Sequence, residues 1–401
     1  MKNQPIEFSQ FIVRDAKYLP CGFNELSKIL SDAKKEKRKL RIKLGIDPTS
    51  TDLHFGHTVC LHYLRKFQEI GHIPVLIIGG FTATVGDPSG TNATRPVLTY
   101  KEVQENAKTY LTQVSKILDI TKLEVVNNYD WLNSISLAKL IELAHTVTVN
   151  QLIAKEAFGN RIEQGEPLYL HEVLYPILQG YDSVHVKADI EIGGVDQTFN
   201  VLFGRHVQKY FNQKEQFVIL LPLLVGLDGK KKMSKSFNNY IALNDPPEEI
   251  FGKVMSISDD LIKQYFLVSS FQANELYEME QSLEDKNNNP RDIKVKLAHN
   301  FVAQLYGLDL ANKAKERFTR QFQKGELPED ISNFALAKPM HITELMCEAK
   351  LVQSKTEAKK LIAGGGVKLK SIKVLDPNLL ITEKDKDSVL QIGKRKFIKI
   401  I

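Results

Sequence analysis

Near the N-terminus apolar positions return every three to four residues. Leu26, Ile29, Leu30 and Ala33 share one face, with Lys28, Lys34 and Lys35 largely off it, a spacing that predicts an amphipathic helix. The next run, RIKLGI, alternates with period two, so Ile42, Leu44 and Ile46 predict one face of a strand. After the loop DPTSTDLHFGH, the stretch TVCLHYLRKFQEI predicts a helix ending at Gly71. IPVLIIGG is almost continuously apolar, as expected of a strand covered on both faces. Further strands are predicted near LEVVN, ADIEIG and FVILLPLL, with a helix near HEVLYPILQGY. Strands alternating with helices predict an α/β fold with a parallel sheet, whose ligands sit in loops after the strands.

From Pro246 the texture changes, and helical spacing dominates from PPEEIFGKVMSI through VKLAHNFVAQLYG. The stretch QKGELPEDISNFALAKP is polar and broken by proline, as a linker would be. The last residues return to mixed helix and short strand, rich in lysine. These shifts predict an α/β domain over 1–245, a helical domain over 246–324, a linker over 325–337 and a small α+β domain over 338–401.

A chain of 401 residues has room for two or three domains. Its 43% hydrophobic and 25% charged residues are the balance of a soluble protein with a sizeable core. The formal charge of +6 permits a nucleic-acid partner without requiring one. Three scattered cysteines (Cys21, Cys60, Cys347) support neither a disulfide framework nor a metal knot, and fit a reducing cytoplasm. The start MKNQPIEFSQ lacks the apolar run of a signal peptide, and no stretch has the length of a membrane span.

Three constellations carry candidate chemistry. The first is His54-Phe55-Gly56-His57, at a strand–loop–helix junction behind Asp47-Pro48-Thr49. A helix N-terminus offers free N–H groups to phosphate, and two imidazoles three residues apart can add hydrogen bonds as charge builds. Alone, the two histidines read more readily as helix caps or partly buried polar residues. The second is Lys232-Met233-Ser234-Lys235-Ser236 behind the turn LDGKK, where two lysines could close over a pyrophosphate. Alone, this is a lysine-rich surface loop. The third is Tyr175, Gln179 and Asp182, at i, i+4 and i+7 on one helical face, near Gly193-Gly194-Val195-Asp196-Gln197. Leu174, Ile177 and Leu178 mark that helix as buried, so its polar face needs polar company.

Taken together and in this order, the first two motifs resemble the signature pair of class I aminoacyl-tRNA synthetases. The third resembles the amino-acid pocket of bacterial tyrosyl-tRNA synthetases, and so do Gly86-Asp87-Pro88-Ser89-Gly90 and Asn128-Tyr129-Asp130-Trp131. The resemblance implies a Rossmann-like catalytic domain using ATP as substrate, with magnesium held mainly by the nucleotide and no resident metal. Carried over by position, it implies that Asp87, Tyr175 and Gln179 hold the tyrosine ammonium. Asp182 would accept the phenol hydrogen bond. Asp47, Pro48, Thr49, Phe55, Gly56, Asp196, Gln197, Met233, Ser234 and Ser236 would line the ATP side. His54, His57, Lys232 and Lys235 would be catalytic, with Arg95 beside them. Lys43 stands where the commoner bacterial form has a tyrosine that also touches the phenol. Cys60 and Thr91 are further departures, and the pattern Lys43-Leu44-Gly45-Ile46-Asp47 resembles the second bacterial subtype.

Toward the C-terminus, Ser354-Lys355-Thr356-Glu357 opens a capped helix that ends at Gly364-Gly365-Gly366, followed by a basic strand. Lys355, Lys359 and Lys360 form a face suited to RNA phosphates. The order of elements resembles the RNA-binding domain named after small-subunit ribosomal protein four. The family further implies tRNA(Tyr) and L-tyrosine as partners and a homodimer, with its interface near Asn150 to Phe158. Its rivals are a tryptophanyl-tRNA synthetase, a nucleotidyltransferase using the first motif alone, and a non-catalytic RNA-binding paralogue.

Overall fold

RIKLGI forms β1 (Arg41–Ile46), the middle strand of a five-stranded parallel sheet with β2 (Ile73–Ile78), β3 (Glu124–Asn127), β4 (Ile190–Gly194) and β5 (Phe217–Leu221). The protein was analysed as a computed structural model, which describes residues 16–89, 98–153, 156–269, 273–285, 288–323, 331–393 and 396–401. By contact the chain divides into two compact units, Met1–Asn312 and Lys313–Ile401.

In the first unit the strand order is β3-β2-β1-β4-β5, and every pairing is parallel. The chain steps outward from β1 to β3, then returns to lay β4 on the other side of β1. That reversal is a topological switch point, where the loops at the strand C-termini part and leave a crevice. The predicted N-terminal helix is α1 (Phe23–Lys35), with Leu26, Ile29, Leu30 and Ala33 buried. The helix after the first motif is α2 (Phe55–Glu69), and the HEVLYPILQGY helix is α3 (Leu170–His185). Helix α4 (Thr198–Tyr210) follows β4 and packs along α3.

One strand departs from its sequence pattern. Period-two alternation put Ile42, Leu44 and Ile46 on a buried face, leaving Lys43 for the other; yet Lys43 is buried as well, at 1% exposure. The reason is position: the middle strand of a parallel sheet is covered on both faces, so a polar residue there is enclosed.

Beyond β5 the first unit becomes helical, with α5 (Pro247–Met255) packed against α6 (Pro290–Tyr306), and the boundary between the two units falls within the next helix, α7 (Leu308–Gln323). Asn289 caps α6 by accepting from Arg291 N–H at 3.0 Å, with Pro290 in the first helical position, where its missing donor costs nothing.

The second unit has a five-stranded sheet of order β6-β10-β9-β7-β8, from β6 (Ser332–Phe334), β7 (Val367–Leu369), β8 (Ile372–Lys373), β9 (Val389–Ile392) and β10 (Lys396–Ile400). Helices α8 (Ile342–Glu348) and α9 (Lys355–Ala363) cover it, burying Leu345, Met346, Ala358 and Ile362 against Leu390 and Ile398. β6 lies inside the stretch read as a linker; it pairs parallel with β10, a partnership more than sixty residues away that local polarity does not reveal.

Candidate active site

The candidate site lies at the C-terminal ends of β1, β2, β3 and β4, and each loop there contributes. His54 is the N-cap of α2: its Nδ1 accepts from Gly56 N–H at 3.1 Å, while His57 Nδ1 accepts from His54 N–H at 3.1 Å. Capping therefore fixes the tautomer. A neutral ring that accepts at Nδ1 carries its proton on Nε2, so each histidine keeps a free donor. Burial holds both rings neutral: it lowers His57 to about 4, with the Lys235 charge adding to the effect, and it takes His54 well below its usual value. Gly56 has to be glycine here, because a Cβ would stand 2.8 Å from the His54 ring. The cap reading and the phosphate-donor reading thus describe one arrangement.

Deeper in the crevice a chain of hydrogen bonds joins three strand ends. Asp182 on α3, 3% exposed, accepts from Trp131 Nε1 at 2.9 Å and from Asn128 Nδ2 at 3.1 Å. Asn128 Nδ2 also donates to Thr82 Oγ1 at 2.9 Å, and Thr82 donates to Asp47 Oδ1 at 2.7 Å. The Tyr175 hydroxyl donates to Asp47 Oδ2 at 2.9 Å. Close approach is required at Gly79, where a Cβ would stand 1.8 Å from Asp47 Oδ1. A carboxylate offers about four lone-pair sites, so Asp182 retains capacity for a further donor. Burial raises its carboxyl to about 6, against the opposing pull of Lys43, Asn128 and Trp131.

Asp87 gathers the next group. It accepts from Gln197 Nε2 at 2.6 Å, from Asn200 Nδ2 at 3.4 Å and from Ser89 N–H at 2.9 Å. The lysine loop closes the crevice: Lys232 Nζ pairs with Asp196 at 2.8 Å, and Lys235 Nζ donates to Ser50 Oγ and to the Asp52 carbonyl. Lys235 thereby ties the lysine loop to the segment just before His54, and Ala242, beyond that loop, pairs with His54 itself.

Not every residue read as lining the ATP side presents its side chain. Phe55, 2% exposed, packs edge-on against Phe301 at 4.9 Å, and Met233 is 4% exposed. Both side chains belong to the core, so what they offer a nucleotide is backbone. Pro48 is also buried, whereas Thr49 and Ser236 are exposed. Ser234 N–H donates to Asn239 Oδ1 at 2.8 Å, shaping the lysine loop. Gly90, Thr91 and Arg95 lie outside the described residues. Gln179 Nε2 reaches Glu191 at 3.4 Å. Thr82, Asn128 and Lys43 were given no site role in the sequence. Asn128 and Trp131 were at least flagged by the run they belong to, but Thr82 carries no sequence signal.

In the second unit Ser354 caps α9, accepting from Glu357 N–H at 3.2 Å. Lys355, Lys359 and Lys360 are exposed along it, with Lys355 paired to Glu344 at 3.0 Å.

Comparison with known proteins bears on the same residues. The family described as "tRNA synthetases class I (W and Y)" matches residues 34–323. The chain is 45% identical to a Tyrosine--tRNA ligase of Thermotoga maritima, with 92% of each chain covered. It is 46% identical to Tyrosine--tRNA ligase 2 of Vibrio cholerae, covering 91% of this chain and 92% of that one. Among solved structures, a tyrosyl-tRNA synthetase from Archaeoglobus fulgidus complexed with L-tyrosine aligns at TM-score 0.61 and 21% identity, covering 78% of this chain and 99% of that one. The C-terminally truncated mitochondrial tyrosyl-tRNA synthetase of Coccidioides posadasii aligns at 0.64 and 21%, covering 77% and 91%. At that identity the structural likeness speaks for the fold.

Proposed function

We propose, from the premise that the chain belongs to the tyrosine–tRNA ligases of class I, that its crevice activates L-tyrosine with ATP and then loads the tyrosyl group onto tRNA(Tyr). The observation that carries this reading is Asp182: a buried carboxylate with acceptor capacity left over, wired through Asn128 and Thr82 to Asp47 beside the paired histidines and lysines. An aromatic amino acid whose phenol donates to Asp182 would point its carboxylate toward that cationic mouth.

In the first step a tyrosine carboxylate oxygen attacks the α-phosphorus of ATP in line. A P–O bond forms and the bond to pyrophosphate breaks. The nucleophile is already an anion, so no protein base is needed, and orientation and charge stabilisation carry the catalysis. Asp87, Tyr175 and Gln179 hold the ammonium. The Nε2–H groups of His54 and His57 donate to phosphate oxygens, and Lys232 and Lys235 leave their present partners to meet the departing pyrophosphate. Asp47, Thr49, Gly56, Asp196, Gln197 and the backbone of the 233–236 loop line the nucleotide.

Among the described residues no group of three or more His, Cys, Asp or Glu gathers to hold a metal. The residues that face the phosphates are imidazoles and ammonium groups, with Asp196 the carboxylate among them. Magnesium therefore fits as a cation carried on the nucleotide's own oxygens, where it neutralises phosphate charge. In the second step a hydroxyl of the terminal adenosine of tRNA takes the tyrosyl group from the adenylate, releasing AMP.

We assign 1–245 to activation, 246–324 to the helical anticodon-region domain, the part of 325–337 that precedes β6 to the linker, and 338–401 together with β6 to RNA binding through Lys355, Lys359 and Lys360. The protein acts as a homodimer in the cytoplasm. Exposed apolar side chains concentrate between residues 137 and 170, on two short helices and at the start of α3: Leu137 is 73% exposed, Val149 65% and Leu170 75%. A second copy would cover them. No helix among the described residues is long and apolar enough to cross a membrane.

Charging of total tRNA with labelled tyrosine, beside phenylalanine and tryptophan controls, tests the whole reading. Tyrosine alone is expected to be incorporated. Incorporation of tryptophan in its place, or none at all with intact protein, overturns it.

A further inference from the structure

Beneath Asp182 lies a cluster that the activation mechanism does not use. Lys43 on β1 and Glu191 on β4 are 1% and 2% exposed and pair at 3.0 Å. The Lys43 ammonium also donates to Ser183 Oγ at 2.7 Å and to the Gln179 carbonyl at 3.1 Å. An ammonium has three donors, and these three partners use them all. Lys43 therefore has none left for a ligand and does not replace the tyrosine of the commoner form as a phenol contact. Glu191 is held in turn by Gln216, Ser183 and Gln179. Gly204 makes room for the cluster, since a Cβ there would stand 2.6 Å from Gln216 and 2.9 Å from Ser183. Gly45, on the same face of β1 as Lys43, is exposed, with no heavy atom within 4 Å of where its Cβ would be. The face of β1 that carries Lys43 is thus closed over the ion pair and open at Gly45.

We propose that Lys43 is a positioning residue for tyrosine selection: oriented by Glu191, its ammonium keeps Asp182 an anionic acceptor and pins the turn of α3 that presents Gln179 and Asp182. The proposal rests on the reading of Asp182 as the phenol acceptor. Two formal charges act on Asp182, Lys43 from β1 and Glu191 from β4, with opposite sign. The other groups against it are the neutral donors Asn128 and Trp131, and the indole stacks at 4.1 Å on His185. A buried pair of this kind gives little net stability compared with apolar packing, so positioning is the role its geometry leaves for it.

The opposite signs supply the test. Tyrosine-dependent exchange of pyrophosphate into ATP is measured between about pH 5 and pH 8.5, and the acid limb of kcat/KM for tyrosine is read for each variant. Lys43→Met is expected to move that limb up, and Glu191→Gln to move it down, each by about half to one unit. At pH 6, Lys43→Met should raise the tyrosine KM about two- to fivefold, recovering at pH 8.5, with kcat within about twofold. Loosened packing cannot move one limb in two directions, so unmoved limbs or shifts of the same sign overturn the proposal. Should Lys43→Met fail to fold, the isosteric Glu191→Gln decides alone: a downward shift supports the proposal, and none or an upward one overturns it. Asp182→Asn separates the layers. If it leaves the preference for tyrosine over phenylalanine intact, the pocket reading itself falls; if it abolishes the preference while the limbs stay fixed, only the role of Lys43 falls.

Discussion

The two ends of the crevice are built on opposite principles. At the tyrosine end the charged groups sit on regular elements and are sealed: Lys43 and Glu191 on neighbouring strands are 1% and 2% exposed, and Asp182 on α3 is 3%. At the end proposed for the phosphates Asp196 lies on the single helical turn after β4 and Lys232 on the loop after β5, with side chains 21% and 29% exposed, and Lys235 rests on a hydroxyl and a carbonyl. The first set is organised before any ligand arrives, while the second holds replaceable partners that phosphate can displace. The contrast follows from the tasks. Rejecting an amino acid that lacks one hydroxyl requires an acceptor that cannot find water or relax, whereas following charge onto a leaving group requires cations that can move.

The largest effect is expected where the rigid end is broken. Asp182→Asn keeps the shape but removes the anion, and one amide hydrogen-bonding face must then confront the donors Asn128 and Trp131. The tyrosine-over-phenylalanine ratio of kcat/KM should fall by about 10²–10³-fold, since a site built for a hydroxyl discriminates by roughly 10⁴–10⁵. Parallel exchange assays with the two amino acids check it. A ratio unchanged within threefold, taken as about experimental scatter, would mean that selection resides elsewhere.

How much of this could be read from sequence also divides along the same line. The phosphate end is local: His54-Phe55-Gly56-His57 and Lys232-Met233-Ser234-Lys235-Ser236 are contiguous strings, and Lys235 reaches Ser50 and Asp52 just before the first of them. The strand–helix alternation was legible too, because apolar periodicity is a short-range signal. The tyrosine end is long-range. Lys43, Thr82, Asn128, Asp182 and Glu191 come from five separated segments, and nothing near Lys43 announces a partner at position 191. Period-two reading even pointed away from its burial, because it presumes one solvated face. Phe55 and Met233 show the converse limit: membership of a motif does not say which way a side chain points, and these two point into the core.

At the mobile end Lys235→Ala removes one phosphate donor without touching the floor of the pocket. Adenylate formation should slow by about 10²–10³-fold, with tyrosine KM within about twofold. Stopped-flow activation measures both quantities. A raised tyrosine KM with unchanged rate would erase the division between the ends, because it would make the lysine a binding residue for the wrong substrate.

The smallest effect distinguishes the two ends by the sign of their proton linkage. His57 titrates at about 4 in the folded chain against about 6.5 when unfolded, so its contribution is complete above pH 6.5 and is lost as pH falls toward 4. Asp182 runs the other way. Its folded carboxyl, at about 6, lies above the unfolded value near 3.8, so the folded state takes up a proton first and gains stability as pH falls through 6. Between pH 7 and pH 5 the two ends therefore oppose each other. His57→Gln should narrow the drop in melting temperature across that interval, and Asp182→Asn should widen it, each by about 2–4 °C. Calorimetry of both variants at the two pH values measures this directly. Shifts of the same sign would show that the rigid and mobile ends share one electrostatic environment, and the contrast between them would then be one of exposure alone.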